Sequence, residues 1–128
     1  MSQIELKQIY LELGHEINRL SLTIASQYKD ALRQDAHETV QQFKPQIDKW
    51  VRMLIEREIA CYDLEKILES QRDEMPFTRL NLLGVDCPVV EQMRCEMLRI
   101  VAKAIMNSYL NSLFKTRSCT QAILGNPY

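Results

Sequence analysis

Glycine, proline and aromatic residues are scarce in this chain: 3 glycines, 4 prolines and 7% aromatics in 128 residues. So little turn chemistry argues against a β sandwich or barrel, which need a turn every few residues. No window approaches 18 uncharged apolar residues, so no spanning helix is predicted. The first residues show no basic-then-apolar run, and no leader is expected. The four cysteines, Cys61, Cys87, Cys95 and Cys119, show neither CxxC pairing nor the density of a disulfide scaffold, which points to a reducing, cytoplasmic setting. An excess of one charge sign is missing too. With 16 basic and 17 acidic residues well mixed, the basic stripe of a nucleic-acid binder is absent.

What is present is helical periodicity. The chain is 46% hydrophobic and 26% charged, ordinary for a globular domain, and at this length it forms one core. Residues 1–117 read as a single helical bundle, with 118–128 as a loosely held tail. Residues 2–43 hold no proline and one glycine. Leu6, Tyr10, Leu13, Ile17, Leu20, Ile24 and Ala31 fall on one line of the wheel. Ile4, Leu11, Leu22, Ala25, Leu32, Ala36, Val40 and Phe43 fall on a second, roughly 120° away. The first line fails after Ala31, where Asp35, Glu38 and Gln42 continue it. A straight rod of this length would span about 60 Å, too long for a compact domain. A bend or break near 28–37 is therefore predicted. Gly14 either marks a close helix crossing or is merely tolerated.

Lys44-Pro45 predicts a stop and a fresh start, because proline suits a first helical turn. Residues 46–73 then form a second helix, apolar on most sides through Ile47, Trp50, Leu54, Leu64 and Leu68, with Val51, Ile55, Ile59 and Tyr62 on another face. Arg57, Glu58 and Glu65 interrupt its apolar line, as snorkelling or rim residues. Met75-Pro76 closes it. A short helix near 77–84 ends at Gly84. The last long helix, 87–115, opens at Asp86-Cys87-Pro88, with Gln92, Glu96, Arg99, Lys103 and Asn107 assigned to solvent. Three long helices and one short one predict an all-α antiparallel bundle.

Candidate chemistry is sparse. Glu12 and His15 have the Glu-x-x-His spacing of carboxylate-bridged metal bundles, but a second such motif is lacking and both fall on the polar arc. His37-Glu38 does not extend to His-Glu-x-x-His. Cys87, at a helix start, is the position where a thiol pKa could fall. Lys29 and Arg33, or Lys44, Lys49 and Arg52, make short basic rows, interleaved with acids. No catalytic residue, cofactor or metal ligand set is assigned, and the chain reads as a non-enzyme.

The surplus of apolar stripes points elsewhere. It predicts a helical protein–protein interaction module (adaptor, chaperone-like or regulatory) that self-associates, most simply as a two-fold homodimer. Leu22, Leu32, Val40, Phe43, Val51, Ile55, Ile59 and Tyr62 are its candidate interface. An RNA-binding helical dimer is the alternative, and a thiol-redox or metal-binding helical protein the second.

Overall fold

A computed structural model describes the backbone of residues 6–123 and the side chains of residues 6–113. Five α-helices follow one another: α1 (Leu6–Ser21), α2 (Lys29–Ile55), α3 (Cys61–Ser70), α4 (Thr78–Leu82) and α5 (Cys87–Ile123), with 3₁₀ turns at Ser26–Tyr28 and Arg72–Glu74. The fold is all-α, and no strand occurs among the described residues. Nor is any helix among them long and apolar enough to cross a membrane. The tail expected over 118–128 lies largely outside the described residues; its backbone continues α5 as far as Ile123.

The long first helix breaks earlier than predicted, between Ser21 and Ser26. The cause is local: the Ser21 and Thr23 hydroxyls donate to the Asn18 and Leu20 carbonyls at 2.6 and 2.7 Å. Such side chains compete with the backbone ladder and weaken helix continuation. The break removes the apparent second stripe. Once the direction changes, Leu32, Ala36, Val40 and Phe43 become the inward line of α2 itself, and all four are buried.

That line also explains why α2 runs straight through Pro45, where a stop was predicted. Leu32, Ala36, Val40, Phe43, Ile47, Trp50 and Leu54 repeat at spacings of four and three across the proline, every one buried. An interior proline costs about 3 kcal/mol. Burying Phe43, Ile47 and Trp50 contributes about 1.5–3 kcal/mol each, so packing in register outweighs the missing backbone bond.

The stop falls instead at Glu56–Ala60, inside the segment expected to form one helix over 46–73. The Arg57 amide donates to the Leu54 carbonyl and the Glu58 amide to that of Met53, at 3.2 and 2.8 Å. Arg57 has φ of 60°. These are the two bonds of a Schellman C-cap, with arginine where glycine is usual. Arg57 and Glu58 thus leave the helix altogether. On the far side, Asp63 Oδ2 accepts from the Ala60 amide at 2.9 Å and starts α3.

Helix α4 ends as expected at Gly84, with φ of 77°, and α5 begins as expected beside Asp86, whose carbonyl accepts from the Val89 and Val90 amides. Helix α1 is antiparallel to α2, with Tyr10 reaching Asp48. It is also antiparallel to α5, since Glu12 meets Asn107 and Glu16 meets Lys103. Leu13, Ile17, Leu54, Leu64, Met97 and Ile105, each at most 1% exposed, sit in the shared core.

Candidate interaction surface

The helix registers define one end of the bundle. Leu6 lies six residues before Glu12 and Leu113 six after Asn107, so the Glu12–Asn107 pair (2.8 Å) sets Leu6 and Leu113 at the same level. Ile55 lies seven residues beyond Asp48, the partner of Tyr10 at 2.7 Å, which brings the α2–α3 turn to that level as well. Large apolar side chains stay open there: Leu6 36%, Ile55 37%, Leu110 42% and Leu113 42% exposed; Tyr62, on α3, is 65% exposed. The reason is geometric. Helix α3 has only ten residues, against 37 in α5, and cannot cover α5 along its length.

Of the eight residues expected at an interface, Ile55 belongs to this end, Tyr62 is exposed on α3, and Ile59 stands half-buried in the turn between them. Leu22 is exposed, but it follows α1 and so marks the opposite end. Leu32, Val40, Phe43 and Val51 lie in the chain's own core, because the inward line of α2 carries them. Leu6, Leu110 and Leu113 were missed, although Leu113 stands where the apolar line of α5 outruns any helix predicted to pair with it.

A groove of about 510 Å³ runs between α1 and α2. Leu13, Ile17 and Val40 form its floor, with Lys7, His37 and Lys44 among its rim residues. The Tyr10 hydroxyl donates to Asp48 Oδ1 at 2.7 Å, and Lys44 Nζ sits 5.2 Å from the Tyr10 ring centre. Burial, together with the neighbouring Asp48 carboxylate, pushes the Tyr10 phenol well above its usual range. Gly14 lines the groove, and a Cβ there would meet nothing within 4 Å. It is no close crossing. The lining holds no serine, threonine or cysteine.

The metal-like pair separates. Glu12 is part-buried and accepts from Asn107 Nδ2, whereas His15 is exposed. Asn107, assigned to solvent by its spacing, instead faces α1, while Lys103 is exposed as assigned and lies 3.8 Å from Glu16. No cluster of three or more His, Cys, Asp or Glu able to hold a metal occurs among the described residues. Cys87 is exposed at the start of α5. In the basic rows, Arg33 lies 3.8 Å from Asp30 and Lys44 sits over Tyr10.

A second polar arrangement escaped the sequence reading. Asp35, its side chain 2% exposed, accepts at Oδ1 from the Arg79 amide and guanidinium, both at 3.2 Å, and at Oδ2 from the Leu80 amide at 3.0 Å. Arg79 also donates to Glu38 at 2.6 Å. The Glu38 carboxyl is held below its usual range, chiefly by that hydrogen bond, and the two carboxylates raise the Arg79 pKa. Asp35 thus caps α4 from across the bundle, a use of charge that the interrupted line Asp35–Glu38–Gln42 signalled without naming its partner. Its work is structural.

With this geometry in hand, the chain was compared with protein-family models, curated proteins and solved structures, and none of the three yields a match.

Proposed function

We propose that this chain is a non-catalytic helical protein–protein interaction module that self-associates through the open end of its bundle. The observation carrying this reading is that Leu6, Ile55, Leu110 and Leu113 stay at least 36% exposed towards one end of the fold. Single exposed leucines are normal, whereas several towards one end offer apolar surface that a contact would cover. A two-fold partner is the simplest cover, because the same patch then meets itself. An adaptor or regulatory role in a reducing compartment is the setting that suits such a module.

Light scattering across a dilution series tests the reading. The expected mass at high concentration is twice the 15.0 kDa of one chain, falling on dilution and falling further for Ile55→Glu. A mass of one chain throughout would refute it.

A further inference from the structure

Between Pro45 and Pro76 the chain holds neither glycine nor proline, yet the turn at Glu56–Ala60 separates α2 from α3 there. Arg57 takes a φ of 60° to make that turn, a left-handed conformation that is costly for a residue with a Cβ. Helical spacing, by contrast, carries straight through. At 100° steps Leu54, Cys61, Leu64 and Leu68 keep one line across the turn, with Arg57 its single interruption. Ile55, Ile59 and Tyr62 fall on a second line, at spacings of four and three. In the bent chain this second line is left open: Ile55 and Tyr62 are 37% and 65% exposed, and Ile59 is half-buried.

The turn also divides the core. Twelve buried apolar residues precede it and fourteen follow it, all in one cluster. The polar links between the halves join Asp35 to Arg79, Glu12 to Asn107 and Gln42 to the Glu74 carbonyl. None of them depends on which chain supplies the second half.

We propose that, in the self-associated form, the turn at Glu56–Ala60 straightens and two copies exchange halves, α1 and α2 of one packing on α3, α4 and α5 of the other. This rests on the self-association reading and gives it a geometry. Lys29 to Ser70 then forms one helix about 63 Å long. The two-fold axis passes beside the former turn, where Ile55, Ile59 and Tyr62 of one copy meet those of the other. The contacts between halves are remade between copies, the strain at Arg57 is released, and the second apolar line is covered. Short, strained hinges favour such exchange. Counting only half of each exchanged core, at about 60–120 Å² per side chain, the dimer buries about 1,600–3,100 Å², above the roughly 1,200 Å² of a stable interface.

Full-length chains test it. Spin labels are placed through unnatural side chains at Gln42 and Ser70, both exposed, and the doubly labelled chain is mixed into an excess of unlabelled chain. Electron–electron resonance then reads the distance within one chain. In the bent form the Gln42 side chain reaches the Glu74 carbonyl at 3.3 Å, which holds the two sites within about 25 Å of each other. On one straight helix they lie about 42 Å apart. The concentrated, dimeric parent is expected to show the long distance, and the dilute monomer the short one. A dimer that keeps the short distance overturns the exchange and leaves self-association standing. Two variants, Arg57→Gly and an insertion of Gly-Ser-Gly after Glu58, favour the turn and burden a straight helix while leaving Leu6, Ile55, Leu110 and Leu113 in place. Each is expected to weaken dimerisation at least about ten-fold by sedimentation, because both hinges of the dimer are affected. Unchanged dissociation constants would likewise overturn the exchange. A parent that is monomeric at every concentration overturns both readings.

Discussion

Replacing Asp35 by alanine should loosen the attachment of α4 more than any surface change could. Its carboxylate accepts two backbone amides and one guanidinium N–H while 2% exposed. Alanine would leave the buried Leu80 amide without its acceptor, at about 1–3 kcal/mol. It would also remove the cap of a five-residue helix, worth about 1 kcal/mol. The expected loss is therefore about 2–4 kcal/mol. That is a large share of the roughly 6–19 kcal/mol available to a chain of this size. Asp35→Asn keeps one acceptor oxygen and should cost about half as much. Arg79→Ala should cost about 1 kcal/mol or less, because the guanidinium is 38% exposed and the backbone bonds to Asp35 survive. Since the two residues share a contact, the double variant should cost less than the sum of the singles. Urea unfolding of the parent and the four variants measures this, and hydrogen exchange at the Leu80 amide locates it. A loss under about 1 kcal/mol for Asp35→Ala, or unchanged protection at Leu80, would refute the capping role.

Other expectations concern the backbone and the acid limb of stability. Gly14→Ala should raise unfolding free energy by about 0.5–1 kcal/mol, since the site is helical and the new methyl meets nothing within 4 Å; a drop in urea midpoint would mean a contact is being crowded. Arg57→Gly should be stabilising by up to about 1 kcal/mol, by relieving a left-handed residue with φ of 60°, and its melting temperature gives the answer. The depressed Glu38 carboxyl contributes stability that is fully present above its ordinary pKa of 4.5 and is lost as pH falls through its lowered folded value. Glu38→Gln should therefore flatten the stability profile below about pH 4.5. An unchanged acid limb would show that Arg79 gains nothing from Glu38.

Helix content, the Gly84 stop and the Asp86 start were all readable, because each depends on neighbours in the chain. The errors arose where a local rule met a longer one. At Pro45 the local rule predicts a stop, but seven apolar residues keep their spacing from Leu32 to Leu54, and that register decides the packing. Treating residues 2–43 as one helix made Leu32, Val40 and Phe43 look like a spare face, when a turn built from Ser21 and Thr23 hydrogen bonds had redirected them inward. The real stop at Glu56–Ala60 carries no glycine or proline, only an arginine forced into the left-handed region. The open end was half legible: Ile55 stood out as a surplus apolar residue, while Leu6, Leu110 and Leu113 needed the α1–α5 register to be grouped with it. Asp35 was visible only as an interruption, since its partner lies 44 residues away.

The central claim is that the end bearing Leu6, Ile55 and Leu113 is covered by a second copy. Hydrogen exchange of the full chain, followed by mass spectrometry at high and low protein concentration, reads that end directly. Protection over residues 55–62 is expected to rise with concentration, while protection over 78–82, which attaches to α2 within one chain, stays constant. Protection over 55–62 that does not depend on concentration would contradict the account.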